Sequence, residues 1–307
     1  MSEGVYSVGL DMGGTKCAAV LLAPDGRVIE RDKVPTPQGA GAVVDALVGV
    51  AEGLMAKSPA PVRAVGCGVP GLMTTAGVLR FAPHLPGVTE LPLADILRRR
   101  LGVHVIVDND NTCATWGEYE IARAGDPFLY VGFGTGIGGG FVIDGKLARG
   151  SVGFAGEIGH IVVQADGPEC ICGRRGCWEI YASGNGLGRL AEEAGLEADG
   201  RGVRSLLRTG DPKAVQVVET FASWVALGLT NLAFVLDPAV IVLGGGAIGL
   251  PEEAGELISP IWRHLSIQFG NSAGHRPLPD LRGARLGPEA GAIGAARMAT
   301  REVLDGA

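Results

Sequence analysis

The sequence has no excess of positive charge. Its 26 Lys and Arg stand against 33 Asp and Glu, for a net charge of -7 and a pI near 5.3, so no nucleic-acid partner and no anionic membrane surface is expected. It lacks an uninterrupted apolar run of bilayer-crossing length, and its start lacks a basic segment followed by an apolar one; both absences predict a cytoplasmic protein. Cysteine is sparse, at six residues. Cys17, Cys67 and Cys113 sit singly among apolar or small neighbours and are expected to be buried thiols rather than disulfide partners. Glycine is abundant: 51 residues in 307, alongside 47% hydrophobic residues. This is the composition of a globular chain with many tight turns, and its length suits two domains.

The other three cysteines fall together in residues 154–181, which read F-A-G-E-I-G-H, a short acidic span, and C-I-C-G-R-R-G-C-W-E-I-Y. Three thiolates, from Cys170, Cys172 and Cys177, and the His160 imidazole make a closed tetrahedral set for zinc, with turn glycines Gly173 and Gly176 to wrap the ion. Zinc with no open position does not activate water, so the expected role is structural. The ion would clamp the loop so that Glu157, His160 and Glu179 face one ligand. The competing reading is three incidental or redox-active cysteines.

Two glycine turns repeat one theme. Residues 5–10 read as a strand that ends in Asp11-Met12-Gly13-Gly14-Thr15-Lys16 and returns as a strand over 17–22; Asp25-Gly26 then closes a second hairpin. Such a turn can offer backbone N–H groups and the Thr15 hydroxyl to a phosphate, with Asp11 for an accompanying magnesium. By itself it is also only a hairpin. Residues 128–133 repeat the strand, Gly134-Thr135-Gly136-Ile137-Gly138-Gly139-Gly140 repeats the turn, and 141–143 repeats the return. One copy in each half suggests an internally duplicated nucleotide clamp of the actin and hexokinase kind. Neither loop opens a long helix, as a dinucleotide fingerprint would.

Between and after these turns, the apolar spacing predicts helices over 41–57, 91–101, 112–124, 187–194, 213–236 and 251–268, strands over 62–69, 103–107, 239–243 and 281–286, and a final small-residue helix from Glu289. The helix over 213–236 is apolar on more than one face, which suits a core helix, a subunit interface or both. Asp108-Asn109-Asp110-Asn111 stands at the carboxyl end of a buried strand, where open α/β sheets place ligand chemistry. Helix capping accounts for one of these four residues. Gly244-Gly245-Gly246 follows another buried strand, where a base and ribose can lie against bare backbone.

These motifs, D-M-G-G-T-K, D-N-D-N, G-T-G-I-G-G-G, L-G-G-G-A and above all H-x9-C-x-C-G-x-x-G-C-x-E after G-E-I-G, resemble the ROK family of repressors, open reading frames and sugar kinases over nearly the whole chain. Residues 170–183 are most similar to its bacterial glucokinases. The resemblance implies a ribonuclease H-like, actin-like ATPase fold of two domains around a cleft. A small domain would span 1–110 plus 290–307, and a large one with the zinc loop 111–289. It implies transfer of the γ-phosphate of ATP to the 6-hydroxyl of glucose, with Asp110 as base. Gly71, Asn109, Asp110, Glu157, His160 and Glu179 would bind the sugar. Asp11, Gly13, Gly14, Thr15 and Lys16, then Gly134, Thr135, Gly136 and Gly138, then Gly244, Gly245 and Gly246 would bind magnesium ATP. His160, Cys170, Cys172 and Cys177 would hold structural zinc, in a homodimer or higher homo-oligomer.

Where the family pattern implies A-P-N-L-x-G-W, this chain has Ala82-Pro83-His84-Leu85-Pro86-Gly87-Val88. His84 and Val88 thus leave open other sugars, such as N-acetylglucosamine, N-acetylmannosamine, fructose or allose, and polyphosphate as an alternative donor stays open as well. The family's regulators carry a helix-turn-helix domain ahead of the first glycine turn. That turn begins here at Asp11, and the charge is acidic, so a kinase is expected rather than a regulator.

Overall fold

The structure, a computed structural model, describes residues 4–82, 87–122, 125–197, 199–270 and 275–306. It falls into two compact units, Met1–Ala122 with Leu147–Ala155 and Glu289–Ala307, and Arg123–Lys146 with Gly156–Pro288. The first unit takes in the helix after the D-N-D-N run and a short return segment, besides the stretches expected for the small domain.

In the first unit, β1 (Tyr6–Met12), β2 (Lys16–Leu22), β3 (Val28–Pro35), α1 (Ala40–Met55) and β4 (Val62–Val69) are followed by the short strands β5 (Leu72–Met73), β6 (Leu79–Phe81) and β7 (Thr89–Leu91), then α2 (Leu93–Leu101), β8 (His104–Asn109) and α3 (Asp110–Ala122). The second unit runs through β9 (Phe128–Phe133), β10 (Ile137–Ile143), β11 (Lys146–Leu147), α4 (Trp178–Ala182), α5 (Gly184–Glu193), α6 (Gly200–Arg208), α7 (Pro212–Leu236), β12 (Val240–Gly244), α8 (Gly255–Phe269) and β13 (Asp280–Gly283). The chain ends in the first unit with α9 (Ala290–Asp305).

Each unit carries a five-stranded sheet, in the orders β3-β2-β1-β4-β8 and β11-β10-β9-β12-β13. In both, the first two strands form an antiparallel hairpin around a glycine turn, and the first strand pairs in parallel with the fourth. The same order occurs twice, which is the duplicated ribonuclease H-like, actin-like arrangement.

The small residues of α9 explain how it covers the first sheet. A Cβ on Gly9 of β1 would overlap the carbonyl of Ala292, one on Gly66 of β4 that of Ala295, and one on Gly294 that of Cys113 in α3. Backbone thus lies directly on backbone, and Cys17, Cys67 and Cys113 are buried beneath, as expected. In the second unit α7 is the central helix. Asp211 caps it through the N–H groups of Lys213 and Ala214, Pro212 opens it, and Asp237 ends it in a left-handed conformation. By length and hydropathy α7 could cross a membrane, but Phe221, Ala222, Val225, Ala226 and Leu229 are fully buried in this core.

Several boundaries differ from those read in the sequence, among them α3 and α5, which open two and three residues early at Asp110 and Gly184. The return strand β10 begins at Ile137, inside the glycine run, because Gly138, Gly139 and Gly140 pair in register with Gly132, Val131 and Tyr130. The helix expected from 251 begins at Gly255 after a turn, and the last strand is Asp280–Gly283, not 281–286. α6 was not anticipated, since its Gly200-Arg201-Gly202 start argues against a helix; the Asp199 carboxylate accepts from the Gly202 N–H there.

Candidate active site

In the first unit the D-N-D-N run divides its work. Asp108 is buried; its Oδ2 accepts from Arg149 Nε at 2.7 Å and its Oδ1 from the Asn109 N–H at 2.8 Å. Asn109 caps α3, its Oδ1 accepting from the N–H groups of Asn111 and Thr112, while its Nδ2 donates to the Gly71 carbonyl at 3.2 Å. Gly71 is required twice over, by its φ of 114° and because a Cβ would overlap the Phe81 carbonyl. Asp110, the first residue of α3, takes the Asn111 N–H and Nδ2 on its Oδ1. Nothing in the local sequence singles out Arg149.

The first glycine turn is a tight hairpin. The Gly13 N–H closes onto the Lys16 carbonyl at 2.8 Å, and Thr36 Oγ1 donates to the Gly13 carbonyl. Gly14, Thr15 and Lys16 are exposed. The first turn of α9 lies on the Asp11 carboxyl, since a Cβ on Gly291 would stand 2.6 Å from its Cγ. Burial pushes the Asp11 pKa up to about 7, with the charge of Asp110 adding and Lys16 opposing.

The second unit gathers the rest. Gly134 N–H closes onto the Gly136 carbonyl, and Gly184, opening α5, donates to the Gly134 carbonyl at 2.8 Å. Ala247 donates to the Phe133 carbonyl at 2.9 Å, and a Cβ on Gly245, at φ 90°, would overlap that same carbonyl. The turns at Gly134–Gly136 and Gly244–Gly246 are thereby fixed to each other and to the start of α5. Gly138 lies within β10, past the turn.

Glu157, His160 and Glu179 come together as expected. His160 Nδ1 faces Glu179 Oε1 at 3.3 Å and Cys170 Sγ at 3.6 Å, while its Nε2 lies 3.8 Å from Glu157 Oε2. The other oxygen of Glu179 lies against the glycine turn, 2.5 Å from where a Gly136 Cβ would be. The ligand atoms of His160, Cys170, Cys172 and Cys177 all lie within 4.8 Å of one another, with Cys172 Sγ and Cys177 Sγ 3.5 Å apart. Zinc bonds of about 2.3 Å to sulfur and about 2.0 Å to nitrogen give tetrahedral edges of about 3.5–3.8 Å; the His160–Cys170 and Cys172–Cys177 separations of 3.6 and 3.5 Å are close to these, so the set is compatible with the ion.

Backbone bonds tighten the loop: Cys170 N–H to the Arg174 carbonyl, Gly173 N–H to Cys170, and Gly176 N–H to Pro168. Burial, with the Glu179 carboxylate adding, holds the Cys170 thiol well above its ordinary range, and burial also raises Cys177. Cys172 shifts the other way, lowered by hydrogen bonds from the Arg174 N–H and the neighbouring thiols against the effect of burial. Trp178, next in sequence after Cys177, anchors the loop. It is fully buried, edge-on to Phe133, its Nε1 donating to the Trp224 carbonyl at 2.8 Å, and only a glycine at 228 leaves room for its ring. Of the departures from the family pattern, Val88 is buried, and His84 lies outside the described residues.

Known proteins resemble the chain over nearly its whole length. It is 36% identical to a glucokinase of Streptomyces coelicolor over 95% of the chain and 97% of that protein. It is 33% identical to an N-acetylmannosamine kinase of Shigella boydii over 97% and 99% respectively. A crystal structure of a ROK family glucokinase from Streptomyces griseus, in complex with glucose and AMPPNP, superposes with a TM-score of 0.86 at 34% identity, covering 96% of this chain and 99% of that one. The ROK family profile matches residues 7–302. With both glycine turns, the D-N-D-N run and the histidine–cysteine loop inside that span, the chain belongs to the ROK family.

Proposed function

We propose that this chain is a cytoplasmic sugar kinase that transfers the γ-phosphate of ATP to the 6-hydroxyl of glucose, giving glucose 6-phosphate. The observation that carries the reading is the place of Glu179. One oxygen meets His160 and the other lies against Gly136, so hydroxyl acceptors and a phosphate-type turn are built as one piece. The glucokinase relative at 36% identity supports glucose in particular.

In this reading Gly71, Asn109, Asp110, Glu157, His160 and Glu179 bind the sugar. Carboxylates suit the task because each accepts from two hydroxyls, and a site built that way rejects analogues lacking them. Asp110 takes the proton of the 6-hydroxyl. A carboxylate is too weak a base to ionise an alcohol beforehand, so the proton moves late and most of the rate gain comes from positioning and charge stabilisation. The turns Gly13–Lys16 and Gly134, Thr135, Gly136 and Gly138 receive the phosphates on their hydroxyls and on the N–H groups other than those of Gly13 and Gly134, which close the turns, and Gly244, Gly245 and Gly246 the base and ribose. Asp11 would hold magnesium, which neutralises phosphate charge when bound. His160, Cys170, Cys172 and Cys177 would hold zinc, which supplies rigidity rather than a reacting group.

The second reading, a kinase for N-acetylmannosamine, is favoured by the relative at 33% identity. A coupled kinase assay with glucose, N-acetylmannosamine, N-acetylglucosamine, fructose and allose, each with ATP or polyphosphate, separates the two. Glucose with ATP is expected to give the highest kcat/KM, and a larger value for N-acetylmannosamine would replace the first reading by the second. A homo-oligomer belongs to the same proposal, because Phe234 and Val235 remain exposed at the end of the apolar α7; sedimentation would show it as a mass above that of one chain.

A further inference from the structure

Asp108 is a buried carboxylate in the motif that carries the base, and the phosphoryl-transfer chemistry gives it nothing to do. It is 7% exposed. Burial pushes its pKa upward while the Arg149 guanidinium opposes that shift. Both of its oxygens are engaged: Oδ2 with Arg149 Nε at 2.7 Å, and Oδ1 with the Asn109 N–H at 2.8 Å. The second bond fixes the peptide between Asp108 and Asn109, one residue from the base.

Arg149 belongs to the return segment Leu147–Ala155 of the first unit. That segment is docked by backbone. Val152 accepts from the Thr75 N–H at 3.3 Å, the Ala155 N–H donates back to the Arg149 carbonyl at 3.1 Å, and a Cβ on Gly153 would overlap the Met73 carbonyl. The next two residues are Gly156 and Glu157. An ion pair between residues 41 apart in sequence therefore connects the peptide that leads into Asn109 and Asp110 with the return segment that precedes Glu157 in sequence.

Stability is a weak reason for such a pair, because desolvating two charges offsets most of their attraction and an apolar replacement is often neutral. Geometry is a better one. We propose that Asp108 and Arg149 are a positioning pair that sets the register between the Asn109–Asp110 peptide and the return segment before Glu157, and so aligns the sugar for transfer. The inference rests on the sugar-kinase reading above.

The test uses the full chain with Asp108→Asn, which keeps the shape and the acceptor for Asn109 but removes the charge, together with Arg149→Met, Arg149→Lys and the double variant. Steady-state kinetics are expected to show kcat/KM for the sugar falling roughly 10- to 100-fold, the range found for partners that orient a binding group. Calorimetric affinity for a non-hydrolysable ATP analogue should stay within twofold of wild type. Arg149→Lys should recover part of the loss seen in Arg149→Met. The double variant should be no worse than the poorer single one, as for residues that act as a unit. Folded variants with wild-type sugar kinetics, or with nucleotide affinity falling as far as sugar affinity, would overturn the pair. Should Asp108→Asn fail to fold, the Arg149 variants decide by the same readings. Wild type is assayed alongside: if it phosphorylates no sugar, the kinase reading fails, whereas active wild type with unaffected variants defeats the pair alone.

Discussion

The two sheets share one strand order, but the connection between their third and fourth strands differs. In the first unit β3 reaches β4 through α1 alone. In the second, the path from β11 to β12 carries the return segment, the histidine–cysteine loop and α4 to α7. The first unit keeps its carboxyls in a dry setting: Asp108 is neutralised by Arg149, and Asp11 is left with a pKa near 7. The second keeps Glu157 exposed and fixes Glu179 from a loop where the ligand atoms of His160, Cys170, Cys172 and Cys177 converge. Duplication supplied two hairpins with glycine turns. The first unit carries its carboxyls on β1 and at the β8–α3 junction and the second carries its own between strands three and four, so the two halves should respond differently to substitution.

The largest effect belongs to the first unit. Asp110→Asn is expected to lower kcat by on the order of 10³-fold, within the range for loss of a general base, while glucose affinity by calorimetry changes only a few fold. Turnover within tenfold of wild type would remove the base from this half.

Next comes Asp11→Asn, which should reduce kcat/KM for magnesium ATP by roughly 100-fold, since charge stabilisation is the main catalytic term. The same substitution has a pH signature. With a folded pKa of about 7 against about 3.9 unfolded, the folded state binds the extra proton between those values. Asp11 therefore costs nothing below pH 4, and stability is lost as pH rises toward and through 7, at a slope of at most ~1.4 kcal/mol per pH unit. In metal-free buffer Asp11→Asn should melt higher than wild type at pH 8 and equally at pH 4. A wild-type melting curve flat across that window would contradict the burial argument.

A smaller effect is expected in the second unit from Gly136→Ala, whose Cβ would crowd Glu179. The sugar KM should rise about tenfold, the order of one lost hydrogen bond, with the fold intact by circular dichroism. An unchanged KM would separate the turn from the sugar carboxylates.

Much of this was legible in the sequence because it is local. Hairpins around Gly13 and Gly134 follow from strand–glycine–strand patterns, the clustering of His160 with Cys170, Cys172 and Cys177 from cysteine spacing, and the cap at Asn109 from its place before a helix. The unread parts depend on distance. Arg149 meets Asp108 across 41 positions, and no periodicity marks it. β10 starts inside a glycine run because those glycines hold ladder positions while Gly139 leaves room for Ile158. α6 opens on glycines that propensity counts against. It is held by its neighbours: buried Arg204 donates to the Ala247 carbonyl, and Arg208 pairs with Glu253 and Glu256.

The central claim is that the histidine–cysteine loop is a scaffold for the carboxylates proposed to bind sugar and touches the proposed nucleotide turns only where Glu179 meets Gly136. Calorimetry of glucose and of a non-hydrolysable ATP analogue, on metal-replete protein, on chelator-treated protein and on Cys172→Ser, tests it most directly. Glucose affinity should fall at least tenfold on chelation and in Cys172→Ser, with analogue affinity within twofold of the untreated value; a loss of nucleotide affinity with glucose binding intact would contradict it.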